Sequence, residues 1–291
     1  YNYEDRYMVE LNGRYDGSSR FIGDKRWGFF PSFSAGWNIA REAFFGDLAN
    51  TISTLKIRGS WGQLGNQNIG FYPYQAMIAG VDAYPFDKKN ESLAYIQKAY
   101  ANSDIKWETT TITDIGVDLQ FLNRLSLTFD WYKKATKDIL RGSQVSYLLG
   151  LDAPTVNNGS LENTGIELAV NWNDVVQEGA MKGLQYNVGF FVDRSRNKLT
   201  EFGDPEYKDH GILQEGLPYG QYYMLECIGV FADENEVNNS PKQFNDNTQP
   251  GDLKYRDADG NGKIDNNDRV PMNGRFPGFE YSVNVGASWK G

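Results

Sequence analysis

The sequence predicts an all-β fold: a segment of an antiparallel transmembrane β-barrel with about eight wall strands and long extracellular loops. Three observations predict it. Apolar and polar residues alternate with a period of two in segments of about 8 to 11 residues. Tryptophans collect near the ends of these segments. The connections between them alternate between short and long, except that the first two are nearly equal in length. All three are typical of bacterial outer-membrane barrels.

The composition permits this fold. The chain has 291 residues, 14% of them aromatic, and a net charge of −9. It contains no stretch of the roughly 20 apolar residues that a membrane helix requires, but alternating strands hide an apolar face at low mean hydropathy. The net charge argues against a nucleic-acid partner, which calls for clustered Lys and Arg. Cys227 stands alone, which excludes an internal disulfide framework, and its strand-like neighbours predict a small buried side chain.

Both ends of the chain lie in predicted strands. The N-terminal residues carry no export signal, and the C-terminal residues stop where a strand ends. We therefore expect residues 1–291 to be one part of a barrel domain whose preceding sequence and final strands are missing.

The alternation is clean in eight segments, in which apolar side chains occupy every second position. Polar residues such as Asn12, Arg58, Asp118 and Asn187 fill the positions between them. Such a period gives a sheet two chemically different faces. The apolar positions, in chain order, are Tyr7, Val9, Leu11 and Tyr15; Phe33, Ala35, Trp37 and Ile39; Leu55, Ile57 and Trp61; Ile115, Val117, Leu119 and Phe121; Leu125, Leu127, Phe129 and Trp131; Ile166, Leu168, Val170 and Trp172; Leu184, Tyr186, Val188, Phe190 and Val192; and Phe279, Tyr281, Val283, Val285 and Trp289.

A soluble β-sandwich also alternates, so the nature of the apolar face needs further arguments. The segments have about the 9 to 11 residues that cross a bilayer at a tilt, against a typical 5 or 6 in soluble sheets. Indole is apolar in body and polar at its N–H, which favours the headgroup level of a membrane. The tryptophans near segment ends are Trp37, Trp61, Trp131, Trp172 and Trp289.

The connections predict the topology. Bacterial barrels have short periplasmic turns and long external loops. If 63–112 is external, strand parity also places 133–162 and 195–278 outside, and 123–124 and 173–183 in the periplasm. The strand-like segment Tyr219–Phe231 is then assigned to the external loop 195–278, because a ninth wall strand there would break the alternation. The predicted connections are 17–31, 41–54, 63–112, 123–124, 133–162, 173–183 and 195–278.

Several stretches resemble the SusC/RagA family of TonB-dependent outer-membrane transporters. The resemblance implies a barrel of about 22 strands, an N-terminal plug that engages TonB, and a SusD-like surface lipoprotein as a lid. It also implies import of glycans or peptides too large for porins across the outer membrane. We expect no enzymatic activity, because the residues themselves give little support to a catalytic site. The similar stretches are LNGRYDGSSRF…RWGFFPSFSAGWNIARE (11–42), LKIRGSWGQLGNQNIG (55–70), IKWETTTITDIGVDLQFLNRLSLTFDWYKKATKDIL (105–140), NNGSLENTGIELAVNW (157–172) and GDLKYRDADGNGKIDNNDR (251–269).

Residues 257–268 have the spacing of a calcium-binding loop. Oxygen-bearing side chains two residues apart turn inward together, Gly262 permits the sharp bend, and Ile264 would pack the loop down. Position 12 carries an aspartate where helix-loop-helix proteins have glutamate, and a metal-free acidic turn is the alternative interpretation. The predicted ligands for a structural Ca²⁺ are the side chains of Asp257, Asp259, Asn261 and Asp268, the Lys263 carbonyl, and Asp265 directly or through water.

Other candidate sites are weaker. His210 is the only histidine and is expected to be a solvated loop residue. The carboxylates Asp114 and Asp118 could mimic a glycosidase pair, but on alternate strand positions they more simply line a wet lumen. Exposed loop aromatics suit stacking with sugars or peptides, or contact with a lid protein; packing of loop against loop is the alternative. These aromatics are Tyr72, Tyr74, Tyr84, Phe86, Tyr219, Tyr222 and Tyr223.

The sequence thus predicts part of a nutrient-import barrel. The alternative from another class is a closed eight-stranded barrel with a structural or adhesive role, and a soluble carbohydrate-binding sandwich comes third.

Overall fold

The computed structural model describes residues 1–85, 91–97, 99–143, 145–146, 148 and 150–290, and for 82–85 and 91–93 it describes the backbone alone. The chain divides into two compact units. Unit 1 comprises Tyr1–Glu201 with Phe279–Gly291, and unit 2 comprises Phe202–Gly278. No helix in the described part of the chain is long and apolar enough to cross a membrane.

Unit 1 is built on one antiparallel sheet in which each strand pairs with the next along the chain. All eight predicted wall strands are present, and a two-residue strand, Asn2–Tyr3, pairs with the first of them. The wall strands are β1 (Tyr7–Gly17), β2 (Trp27–Asn38), β3 (Ile52–Asn66), β4 (Glu108–Phe121), β5 (Leu125–Lys137), β6 (Ser160–Val175), β7 (Gln185–Glu201) and β8 (Glu280–Ser288).

Most wall strands are longer than the sequence predicts. β6 has 16 residues and β7 has 17, against the predicted 9 to 11 or so. The alternation of apolar and polar residues fades beyond the apolar stretch, but the ladder of backbone hydrogen bonds continues. The predicted loop 195–278 therefore begins as strand β7, and unit 2 starts only at Phe202.

The register sorts the side chains as the alternation predicts, since directly paired residues point to the same face. Leu127 pairs with Leu119 on one side and Val170 on the other, and the row continues through Phe190 to Val283. Large apolar side chains on this face are exposed, and Val283 has an exposed fraction of 60%. The sheet thus presents one apolar face and, on the opposite side, a polar face that carries Arg58, Asp118 and Asn187.

The connection from β4 to β5 is a tight turn. The Arg124 amide donates to the Phe121 carbonyl (3.0 Å), and Leu122 and Asn123 both have positive φ, +52° and +55°. Two consecutive positive φ values give the turn that matches the twist of a hairpin.

At the other end of the sheet, loops enclose a small core of Phe21, Phe30, Ile105 and Trp107. The remaining elements of unit 1 are the ribbons Ile78–Pro85 with Glu91–Gln97 and Leu140–Gly142 with Thr155–Asn157, and the 3₁₀ helices Gly23–Arg26, Ile39–Arg41 and Ala43–Asn50.

Unit 2 buries Phe202, Ile212, Leu213, Phe231 and Ile264. Tyr219–Phe231 contains two short strands that belong to its small sheets and not to the wall, which confirms the assignment to the connection between β7 and β8. The elements are a four-stranded sheet (Glu206–Lys208, Gly211–Leu213, Gln221–Leu225, Arg269–Met272), a ribbon (Cys227–Val230 with Leu253–Tyr255), one helix (Glu234–Asn239) and a 3₁₀ turn (Asn266–Asp268).

Candidate functional site

The polar face of the sheet carries a cluster of charges around Arg58 on β3. Its Nε donates to Asp118 (3.1 Å), Nη1 to Asp114 (3.3 Å) and Nη2 to Asp130 (2.7 Å). One guanidinium thus joins β3 to β4 and β5 through three carboxylates. Asp114 and Asp118, the pair considered for a glycosidase site, are both bound to this cation, which suits the wall of a wet lumen better than acid–base chemistry.

A glycine makes possible the contact with Asp130, which reaches across an intervening strand. Gly116 lies between Arg58 and Asp130 in the same cross-strand row. A Cβ at Gly116 would collide with both the Asp130 carboxylate and the Arg58 guanidinium. Its missing side chain therefore lets Arg58 extend across β4 to β5.

The row continues as a line of acidic residues. Asp130 pairs with Glu167, Glu167 with Asp193, and Asp193 with Glu280. Four carboxylates on four neighbouring strands thus share one face at spacings of about 5 Å. Such a row favours cations and hydrogen-bond donors in the space that it borders.

The second candidate site is the loop 257–268 of unit 2. Asp257 accepts hydrogen bonds from the amides of Gly260 (2.7 Å) and Gly262 (2.8 Å), and Asp259 accepts from Asn261 (3.0 Å). Gly262 has φ +86°, the left-handed conformation in which a residue without Cβ is favoured. The predicted sharp bend at this glycine is therefore confirmed.

Asp268 closes the loop. It is fully buried, and its oxygens accept from the amides of Ala258 (2.7 Å) and Asp265 (2.7 Å). The hydrogen bond from the Asp265 amide lowers the pKa of Asp268, so its carboxyl group is charged at neutral pH. Ile264, 4% exposed, packs the loop down as expected.

Three carboxylates of this loop converge. Oxygens of Asp257, Asp259 and Asp268 all lie within 4.8 Å of one another. Asp265 lies apart from this cluster: one of its oxygens caps the 3₁₀ turn through the Asn267 amide (2.8 Å), and the other pairs with Lys263 Nζ (2.8 Å). That ammonium lowers the pKa of Asp265. The donor set of hard oxygens fits a cation such as Ca²⁺.

The loop aromatics divide between the two units. In unit 1, Tyr72 is 45% exposed and its ring packs edge-on to Tyr74 (6.2 Å between centroids). In unit 2, Tyr219 is 49% exposed, whereas Tyr222 is half-buried. The ring of Tyr223 contacts Tyr207 (5.2 Å), so it supports packing within the unit. Phe86 and the side chain of Tyr84 lie outside the described residues.

Two further candidate residues, His210 and Cys227, lie in unit 2. His210 is exposed in the turn after Glu206–Lys208, as expected of a solvated loop residue. The prediction that Cys227 is buried is wrong. It begins a two-stranded ribbon in which all four residues of its strand are exposed. That strand pairs with Leu253–Tyr255 along one edge, and among the described residues no layer packs on its face.

Comparisons with known proteins agree with this arrangement. The model of the family described as "TonB dependent receptor-like, beta-barrel" matches residues 1–290. The chain belongs to this family. TonB-dependent receptor P3 of Formosa agariphila is 32% identical over 303 residues, and TonB-dependent receptor SusC of Bacteroides thetaiotaomicron is 32% identical over 276 residues. The alignments cover 100% and 92% of this chain but only 30% and 27% of those receptors.

Solved structures of the RagAB peptide transporter have the same fold. One matches 99% of this chain and 30% of its own with a TM-score of 0.79 at 22% identity, and another, of the "open-open" state, gives a TM-score of 0.78 at 23% identity. The predicted resemblance to SusC/RagA-type TonB-dependent receptors and the barrel-wall fold are confirmed. The chain is part of an outer-membrane β-barrel and spans about a third of the length of its relatives.

The sheet of this TonB-dependent receptor segment is open. Within the residues that the structure describes, no pairing joins β1 to β8. The closed eight-stranded barrel considered above is therefore not the form that this chain takes.

Proposed function

We propose that the whole protein imports oligomeric nutrients, glycans or peptides, through the outer membrane, and that this chain forms part of the barrel wall around the transport path. Membership of the TonB-dependent receptor family is the observation that carries the proposal. The sheet adds physical support. One of its faces is apolar enough for lipid, and the other holds the Arg58 cluster and the row Asp130–Glu167–Asp193–Glu280.

The proposal includes two protein partners. TonB would supply energy through the part of the receptor outside this chain, and a SusD-like surface lipoprotein would cover the external loops. Tyr72 and Tyr219 support a role in substrate or lid contact, since both rings are roughly half exposed and aromatic faces stack on sugars and on peptide side chains.

Uptake by intact cells tests the function. A strain that lacks the full-length gene is complemented with the wild-type gene, and fluorescent oligosaccharides and peptides too large for porins are supplied separately. Import that requires the gene and stops when the proton gradient is collapsed is expected for one of the two classes. Uptake that is independent of both the gene and the gradient would contradict the proposal. Affinity purification from outer membranes tests for the lipoprotein.

We also propose that the loop 257–268 holds one structural Ca²⁺, with Asp257, Asp259, Asn261, Asp268 and the Lys263 carbonyl as ligands. The convergence of three carboxylates supports it. Asp265 would take part through water, because its own oxygens are engaged by Lys263 and Asn267. External modules bind Ca²⁺ with dissociation constants of roughly 10⁻⁴–10⁻³ M, so the site would be filled only at millimolar calcium.

Terbium luminescence on the full-length protein tests this site. Tb³⁺ replaces Ca²⁺ at oxygen ligands, and Tyr255, close to the loop in sequence, can sensitise it. Asp257→Asn with Asp259→Asn should abolish a signal that millimolar Ca²⁺ displaces, whereas Asp204→Asn, an exposed aspartate of the same unit, should retain it. Equal signals from the two variants would exclude the site.

A further inference from the structure

The outward, apolar face of three neighbouring wall strands becomes cationic at one end. On β5, Trp131 is followed on the same face by Lys133 and Lys137. On β7, Val192 is followed by the three cations Arg194, Arg196 and Lys198. The pairing confirms the common face, because Thr164 of β6 is the partner of both Lys133 and Arg196.

Four of these five cations are not neutralised within the described part of the chain. Lys133 pairs with Glu162 on the intervening strand (2.8 Å). Arg194, Arg196, Lys198 and Lys137 are exposed and form no ion pair with any described residue. Five cations and one carboxylate give the patch a net charge of about +4.

The patch is local. At the corresponding end of β4 the same face carries Thr109, Thr111 and Thr113, and along β1, β2 and β3 it carries no lysine or arginine. A general adaptation to the membrane surface would place cations around the whole wall. Their restriction to β5 and β7 indicates a specific anionic partner.

The patch also lies at a defined level. Trp131 marks the headgroup region of the bilayer by its indole. The cations begin at this level, because Arg194 lies in the same cross-strand row through Ile166, and Lys133 lies one residue pair further out. This end of β7 leads into the 77 residues of unit 2, Phe202–Gly278, whereas the opposite end of β5 leads into the tight turn at Leu122–Asn123. Long connections lie outside the cell in bacterial barrels, so the patch faces the outer leaflet.

We propose that this patch, Lys133, Lys137, Arg194, Arg196 and Lys198, binds the phosphate-bearing headgroup of an outer-leaflet glycolipid. Arg194 and Lys198 lie about 13 Å apart along β7, and β5 lies about 10 Å to the side. That area suits a headgroup rather than a single ion. The acyl chains would lie against Phe129, Leu168 and Val192, the apolar side chains immediately below on the same three strands. Guanidinium groups donate to phosphate in pairs of hydrogen bonds, which favours a phosphate ester.

Lipid binding to the full-length protein tests the proposal. The receptor is purified in detergent, and its affinity for phosphorylated lipid A is compared by native mass spectrometry with its affinity for the same lipid after removal of phosphate. We expect the phosphorylated form to bind more tightly to the wild type. Equal affinity for the two forms would overturn the proposal, and this comparison requires no variant.

Variants then locate the site. Arg194→Gln, Arg196→Gln and Lys198→Gln together should weaken binding of phosphorylated lipid A on the order of 100-fold, at about fivefold for each cation near the surface. The matched control is Lys134→Gln, which removes a cation from the opposite face of β5 and should leave the affinity unchanged. An equal loss in the control, or displacement of the lipid by a soluble acidic polysaccharide at the same phosphate concentration, would also overturn the proposal. If the triple variant fails to insert, Arg196→Gln alone should give about a fivefold loss.

Discussion

Substitution of Leu127 by arginine measures whether the apolar face meets lipid. Leu127 lies on β5 between Leu125 and Trp131, with Leu119 and Val170 as its partners on the neighbouring strands. An arginine near the midplane of a barrel wall costs about 2–4 kcal/mol. The short turn after Phe121 is about 10 Å away along the strand, whereas the first cation outward, Lys133, is about 20 Å away. The guanidinium can therefore extend part of the way towards the inner membrane surface, and we expect about 2–3 kcal/mol.

The assay is reversible urea unfolding of the full-length protein in lipid vesicles, followed by tryptophan fluorescence. A loss of about 2–3 kcal/mol lowers the folded-to-unfolded ratio about 30- to 150-fold. Thr128→Arg is the matched control, because Thr128 is the next residue and lies on the face of Asp118. The control should cost less than about 1 kcal/mol. Equal costs for the two variants, or a larger cost for Thr128→Arg, would refute the assignment of the faces.

Three further outcomes follow from the structure. Gly116→Ala should separate Arg58 from Asp130 and lower the free energy of unfolding by about 1–3 kcal/mol in the same assay, since charged partners lose their contact. The control is Gly59→Ala, whose Cβ would meet its nearest atom only at 3.7 Å, and it should lower the free energy of unfolding far less. Epitope tags at Asn238 and Gln177 should be labelled on intact cells at Asn238 only, and the reverse pattern would invert the topology. The pKa of Asp268 is lowered in the folded state, so its contribution to stability is complete above the ordinary pKa of about 3.9 and is lost as the pH falls through the lowered pKa. Hydrogen exchange at the amides of Ala258 and Asp265, corrected for intrinsic rates, should therefore stay slow down to about pH 4. Fast exchange of these amides at pH 6 would contradict this expectation.

The number and order of the wall strands could be predicted from the sequence because alternation records the face of each side chain. Leu127, Val170 and Val283 are far apart in the chain, yet their alternation already assigned them to one face, and the register agrees. Strand ends could not be predicted in this way. Beyond the bilayer both faces meet water, so the residues from Arg194 to Glu201 show no apolar period although their backbone stays in the ladder.

The candidate sites also differ in how far they could be predicted from the sequence. The loop 257–268 could be predicted because its ligands are close in sequence and their spacing is fixed by local geometry. The engagement of Asp265 with Lys263 was not predictable, since spacing does not specify which carboxylate a neighbouring ammonium takes. The contact between Arg58 and Asp130 spans 72 residues and depends on an absent side chain at Gly116. A single glycine among 31 carries no sequence signal for such a role.

The level of the membrane along the wall is set by a different signal. Alternation alone states which face meets lipid, but not where lipid ends, because Val192 and Arg194 share one face and one period. The change from apolar to cationic residues indicates where along each strand the hydrocarbon region ends, and on β5 this change falls immediately beyond Trp131. Cations placed there stay hydrated while their aliphatic stems cover apolar surface. If the wall moved inward by one residue pair, these cations would enter the hydrocarbon region at a high cost in free energy. The positions of Arg194 and Lys133 therefore limit how far this part of the wall can shift along the membrane normal.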